Sequence, residues 1–423
     1  WNPCALGIGT SFSEGCEVSM LVASLRGLPR PAWILFAGTF VNRFGSFVFP
    51  FLVLYLTRDG FTLAQAGVAA SVYGLGSIGA AGLGGWCADR FGRRATIALS
   101  MFGSAAAMLT LSQARDLALI TPLTGCAGLA SELYRPAAGA LLADVLPAGG
   151  RTMGYAVYRL AINIGVAAGV AVGGFLADRS FAWLFVGDAL TSSIFGALAL
   201  GALPAYGPAR AATPARRRGR VGAAELARAV RGDRAFQRFL LAATLGGLSY
   251  FQAYSTLGLQ VRADGLPTSV YGGLLALNGL LVMLAEVPIT ASIQRLPPRL
   301  VMVAGLLLSG VGIALSGVPG SFLGLAATVL IWSLGEILYS PTAAAYVSDI
   351  APAHMRGRYL GVWGLLSGVS LTLAPLLGTR LFAWSAPILW LLCAALGLAA
   401  ALLLALPRAA YDGARRACRA CRA

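Results

Sequence analysis

Apolar residues run along this chain in blocks of about twenty, long enough to cross a hydrocarbon layer as helices. The blocks lie at 32–55, 63–87, 95–114, 117–142, 153–177 and 181–203. After a polar interval they resume at 237–259, 268–292, 299–318, 320–343, 358–381 and 384–406. The pattern predicts twelve membrane-spanning helices, six plus six, called spans 1 to 12 below. The expected organisation is an N-terminal extension over 1–31, a six-helix bundle over 32–203, a linker over 204–236, a second bundle over 237–406 and a basic tail over 407–423. No fold is expected of the extension, which shows no secretory pattern and in which Met20 is a candidate start. The linker stretch `AAELARAV` is expected to lie as a short helix on the membrane surface.

Composition agrees with the blocks. Of 423 residues, 58% are hydrophobic and 11% charged, against about 25% charged in soluble domains. Mean hydropathy is +0.76, and a soluble fold would lack the polar surface to cover so much apolar area. The fold class is therefore an all-α integral membrane protein of twelve helices in two bundles. The seven cysteines and the single histidine, His354, show no disulfide or zinc spacing, so neither metal nor cofactor is expected.

Charge sets the topology. All 32 basic residues are arginine and the net charge is +16. Twenty-four arginines fall on one side of the predicted spans, and five (Arg58, Arg115, Arg179, Arg262, Arg380) on the other. Excess positive charge marks the cytoplasmic side, so both termini are expected there, in a multi-pass protein of a bacterial inner membrane. The nine arginines between 210 and 238 are expected to meet anionic lipid head groups, not nucleic acid.

An internal repeat supports two related bundles. Shifting the first half by 205 residues places Tyr134, Pro136, Asp144 and Arg151 on Tyr339, Pro341, Asp349 and Arg356, and Gly173 on Gly378. One ungapped offset across several helices implies duplication, the parallel-repeat plan of some transporters.

The turn between spans 2 and 3, `GWCADRFGRR` over 85–94, gathers Asp89, Arg90, Gly92, Arg93 and Arg94 between nearly uncharged runs. It resembles the signature loop of the major facilitator superfamily, G-x-x-x-D-R-x-G-R-R/K. Span 5 carries Gly165, Gly169, Gly173 and Gly174, a small face suited to close helix packing. This run is similar to the antiporter motif of the family's drug:H+ branch, except that Val170 stands at the motif's proline. The repeat partner of Val170 is Pro375 in span 11. The resemblance implies that Asp89 latches the cytoplasmic side shut against the start of span 11, near 357–360. It extends gating to Arg90, Gly92, Arg93, Arg94 and the pairs Asp144/Arg151 and Asp349/Arg356.

Charges inside the spans mark a pathway, because lone charges in lipid are costly. Glu132 and Arg135 are three residues apart in span 4 and can pair. Arg43 of span 1 and Arg159 of span 5, near Asn163, need acidic or carbonyl partners. Glu286 and Glu336 are candidates for substrate or proton binding, or for those partners; Asp188 of span 6 also joins the acids able to take a proton.

Three functions are weighed. The first, which the drug:H+ resemblance favours, is proton-driven export of small apolar or amphipathic compounds by alternating access. The second is proton-coupled uptake of a small anionic metabolite held by Arg43 and Arg159. The third is a receptor or acid/base enzyme, for which no catalytic or phosphate-binding motif is present. The expected partners are a small-molecule substrate, protons and anionic lipid, around a monomer.

Overall fold

The computed structural model describes residues 25, 27–146, 151–205, 223–318, 320–352 and 354–406, and the side chains of 151, 152, 223 and 224 stand outside that description. Most of the extension, linker residues 206–222, the tail 407–423 and the side chain of Arg151 therefore lie outside the described residues, as do both termini.

Every predicted span is helical. Span 1 is α1 (Arg30–Gly45) and α2 (Val48–Arg58); spans 2 and 3 are α3 (Leu63–Phe91) and α4 (Arg93–Gln113). Span 4 is α5 (Leu117–Glu132) and α6 (Tyr134–Val145); spans 5 and 6 are α7 (Arg151–Arg179) and α8 (Ala182–Ala202). The linker helix is α9 (Ala223–Gly232). Span 7 follows in three pieces, α10 (Arg234–Tyr250), α11 (Gln252–Ser255) and α12 (Leu257–Ala263). Spans 8 to 12 are α13 (Thr268–Ile293), α14 (Pro298–Leu315), α15 (Phe322–Ile350), α16 (Arg356–Trp384) and α17 (Ala386–Ala405).

Local chemistry explains where helices start and break. Thr62 and Gln65 form a capping box at the head of α3. Asp233 accepts from the Phe236 amide at 2.9 Å and starts α10. Pro50 has no N–H to bond back to residue 46, and span 1 breaks at Ser46–Phe47. Span 7 breaks at Phe251, the position that the 205-residue repeat assigns to Ser46. The two breaks are thus a paired feature of the duplication.

Packing obeys the same offset. Spans 2 and 3 both pack on span 4 as spans 8 and 9 both pack on span 10, and span 1 lies on spans 5 and 6 as span 7 lies on spans 11 and 12. The bundles meet through spans 2 and 11 and through spans 5 and 8. Gly67 faces Thr379 and its repeat partner Gly272 faces Gly174; without side chains at these glycines, the backbones close up.

The two ends differ. At the arginine-poor end one core joins both bundles, with Phe51 and Leu54 against Tyr271 and Leu257. There the Tyr271 hydroxyl donates to the Pro50 carbonyl at 3.1 Å. At the arginine-rich end each bundle has its own core, and Gly82, Gly85, Gly357, Gly361 and Gly364 look into open space. The molecule is shut at the arginine-poor end and open at the other.

Candidate functional site

Between the bundles lies a cavity of about 620 Å³, walled by spans 1, 2, 4, 5, 7 and 11. One wall carries three charges. Arg43 lies 3.0 Å from Glu132, and its Nε donates to the Tyr134 hydroxyl at 3.0 Å. Arg135 reaches the other oxygen of Glu132 at 2.9 Å. Glu132 is the last residue of α5 and Arg135 begins the next turn, across a break placed by Pro136, whose missing N–H cannot bond back to residue 132. Arg43 and Glu132 are 14% and 17% exposed, whereas Arg135 is 62% exposed. One carboxylate neutralises one of two guanidiniums, so this wall keeps a net positive charge, presented by Arg135.

The other sequence candidates separate into groups. Arg159 pairs with Glu286 at 2.5 Å, and among the described residues this is the ion pair that joins the two bundles. Asn163 is half-buried one turn further along span 5. Glu336 accepts from the Asn278 side chain at 2.9 Å and lines a smaller recess of about 190 Å³ with Tyr250, Tyr339 and Trp363. The repeat partners of Asn278 and Glu336 are Tyr73 and Ser131, which also bond, at 2.8 Å. Of the span 5 glycines, Gly165, Gly169 and Gly173 lie on span 1, and Gly174 on span 8. Pro375 is buried in span 11.

The signature turn is in place, but its latch is not made in this conformation. Asp89 is exposed and forms no ion pair among the described residues, and the span 11 helix begins at Arg356 without a side-chain cap. Gly92 has φ +87 and joins spans 2 and 3 as a single residue. Arg90 is exposed. Arg93 pairs with Asp144 at 2.7 Å within the first bundle. Arg94 donates to the Leu200 carbonyl, and its repeat partner Arg299 donates to the carbonyls of Leu404 and Leu406. Each arginine thereby caps the end of the last span in its own bundle. Asp349 and Arg356 are exposed and form no ion pair among the described residues.

Sequence reasoning missed Asp178. Its two carboxylate oxygens accept from the amides of Thr268 and Ser269, at 2.8 and 3.1 Å. These amides begin span 8, so a residue of the first bundle caps a helix of the second at the closed end. This is the device expected of Asp89, found at the opposite end. The Pro267-Thr-Ser helix start opposite a carboxylate ending span 5 was the available signal.

The sequence pattern of the Major Facilitator Superfamily matches residues 35–285 and 258–416. The chain belongs to the major facilitator superfamily. It is 27% identical over 338 residues to the uncharacterized MFS-type transporter YqjV of Bacillus subtilis (strain 168), covering 79% of this chain and 82% of that one. It is 27% identical over 368 residues to the Na(+), Li(+), K(+)/H(+) antiporter of Planococcus maritimus, covering 80% and 86%. To the multidrug resistance protein MdtH of Salmonella typhimurium it is 24% identical over 321 residues, covering 74% and 77%.

Solved superfamily structures overlay most of the chain. A mutant of the peptide transporter POT in complex with sulfate aligns with TM-score 0.74 at 19% identity, over 89% of this chain and 94% of that one. A mutant of the nucleoside transporter NupG aligns with TM-score 0.76 at 14% identity, over 89% and 99%. These matches establish the two-bundle fold of a multi-pass membrane transporter.

They also correct the first functional expectation. Export of apolar compounds does not stand: the solved neighbours carry peptides or a nucleoside, which are polar solutes. The charged cavity wall agrees with that correction, because an apolar solute gains nothing from a guanidinium with half its charge to spare.

Proposed function

We propose that this superfamily member is a proton-coupled uptake symporter for a small anionic metabolite. The observation that carries the reading is the sharing of Glu132 between Arg43 and Arg135, which leaves a guanidinium facing the central cavity. A carboxylate or phosphate entering the cavity completes that pairing bidentately. Arg159, expected beside Arg43 in this role, is neutralised by Glu286 and serves as a tie between the bundles. Glu336, without a cationic partner among the described residues, lines its recess as a proton-exchange group.

With the arginine-rich end in the cytoplasm, the structure is the inward-open state. Asp178 then holds the outer side shut, and Asp89 meets the start of span 11 when the bundles rock the other way. The mouth opens beside spans 2 and 11 because the repeat partners of Glu286 and Arg159 are Ala81 and Gly364, which cannot form a tie.

The test is uptake of radiolabelled small carboxylates and phosphate esters into proteoliposomes under an inward proton gradient. Wild type accumulates at least one anion, and Arg135→Gln raises its KM by roughly ten-fold or more, as the loss of one charge-assisted hydrogen bond requires. Gradient-driven accumulation of cationic or apolar solutes alone overturns the reading.

A further inference from the structure

Asp188 of span 6 has no part in the site described above. It is 4% exposed and sits within the membrane-spanning part of the first bundle. Among the described residues it has no ion-pair partner. Its side chain accepts from the Ser192 hydroxyl at a long 3.4 Å, and Ser192 accepts in turn from Asn42 of span 1 at 3.3 Å.

What faces Asp188 is the break in span 1. Residues 187 and 191, on either side of it, touch Phe47 and Gly45. The Val48 amide, first in α2, points at its carboxyl group. At a helix start the leading amides have no partner within the helix. A buried carboxylate therefore meets the leading amide of a broken helix, and Ser46 at the same break lines the central cavity.

The charged groups around it are committed elsewhere. Arg43 of α1 is held by Glu132 and Tyr134, and Tyr73 of span 2 by Ser131. In α2, Arg58 donates to the Ala177 carbonyl, and Asp59 beyond its end pairs with Arg115. Arg159 and Asp178 of span 5 bind Glu286 and the start of span 8. Span 3 carries charge in Arg93 and Arg94, bound to Asp144 and to the Leu200 carbonyl far along span 6.

The second bundle supplies an internal control. The repeat partner of Asp188 is Cys393, a buried neutral residue beside the matching break in span 7. There the packing needs no carboxylate: Ser249 donates to the Cys393 carbonyl at 3.2 Å, and Gln252 fills the break with its own amide. The acid in the first bundle is thus not a requirement of the fold, and intramembrane acids without such a requirement mark proton or solute paths.

We propose that Asp188 is a proton-binding site of this transporter, seated on the hinge of span 1 so that its proton occupancy is tied to the opening of the bundles. The proton goes on and off a carboxylate oxygen. With α2 packed against span 6, as here, water from the arginine-poor end is excluded and the site passes its proton only toward the Ser46 side of the break, which faces the cavity. When α2 leans away at Gly45–Phe47, that end opens and water there exchanges protons with the carboxylate, loading it for inward passage. The idea rests on the proton-coupled reading above and names one carboxylate of that coupling.

The experiment is infrared difference spectroscopy of the purified full-length protein across a pH titration, which needs neither substrate nor gradient. Wild type shows the C=O stretch of a protonated carboxyl that disappears as pH rises, and Asp188→Asn lacks it. Asp188→Glu, which keeps the titrating group should the Asn variant misfold, shows the band at a shifted frequency. Coincident wild-type and Asn spectra, or an unshifted band in the Glu variant, overturn the assignment. Spin labels at Gly82→Cys and Gly361→Cys, across the open mouth, report the coupling in a background without native cysteines. Their separation changes with pH when Asp188 is present and is pH-independent in Asp188→Asn; a shift that persists in that variant overturns the tie to opening. Anion uptake is measured separately, so a failed transport assay and a failed proton site are told apart.

Discussion

Glu132 and Arg135 look alike in sequence, two charges a turn apart in an apolar helix, yet the structure gives them different work. Glu132 holds two guanidiniums at 3.0 and 2.9 Å, and one of them, on Arg43, is buried. Removing the carboxylate leaves that buried charge unpaired, which costs about 3–5 kcal/mol. Arg135 is mostly exposed to the cavity, and its loss costs stability little. Glu132→Gln is therefore expected to lower the thermal midpoint in detergent markedly, while Arg135→Gln leaves it near wild type and changes transport instead. Equal midpoints for the two variants would contradict this division. The Glu132–Arg135 pair was legible from the three-residue spacing. The Arg43–Glu132 pair was not, because it joins residues 89 apart through a helix crossing.

At the scale of elements, boundaries followed from apolar length and local chemistry. The breaks in spans 1 and 4 followed from proline, whereas span 7 breaks at Phe251 without one. Pro50 and Pro136 each sit just beyond a break, because a missing amide ends the hydrogen-bond ladder. Pro341, the repeat partner of Pro136, leaves span 10 continuous, so tertiary packing decides which proline breaks its helix. The turn between spans 2 and 3 depends on one residue. Gly92 adopts φ +87, ψ 159, a region essentially closed to side chains. Gly92→Ala is expected to cost about 1–3 kcal/mol, read as a lower thermal midpoint. An unchanged midpoint would show that the turn relaxes. Here the sequence motif and the backbone agree on why glycine is needed.

For the whole molecule the question is which end is closed and what keeps it so. Asp178 caps the start of span 8 across the bundle interface with two hydrogen bonds. Asp178→Asn keeps the shape and removes the charge that favours a helix N-terminus. The change is worth about 1 kcal/mol, roughly a five-fold shift toward opening at that end. Spin labels at Asp116→Cys and Ala263→Cys, exposed at that end in different bundles, are expected to show a larger population of long distances in the variant. An identical distance distribution would remove Asp178 from the gate.

The sequence by itself determined the elements and their duplication. Twenty-residue apolar blocks in a low-dielectric slab have one way to satisfy their backbones, as helices, and the 205-residue offset carried through to the helix contacts and the paired breaks. Small residues at 165, 169, 173 and 174 marked where backbones meet, although not with which partner. Tertiary structure decided the rest: that Glu132 is shared by two arginines, that Glu286 belongs to Arg159, that Asp188 faces a break, and that Asp178 caps a helix in the other bundle. Each of these joins groups far apart in the chain, and their meeting is set by the crossing and rotation of helices. Residue type and spacing along one helix leave that geometry open. The same gap explains why a glycine run similar to an antiporter motif pointed to export: Gly165, Gly169 and Gly173 pack span 5 on span 1 and Gly174 packs it on span 8, while the charged wall of the cavity is made by spans 1 and 4.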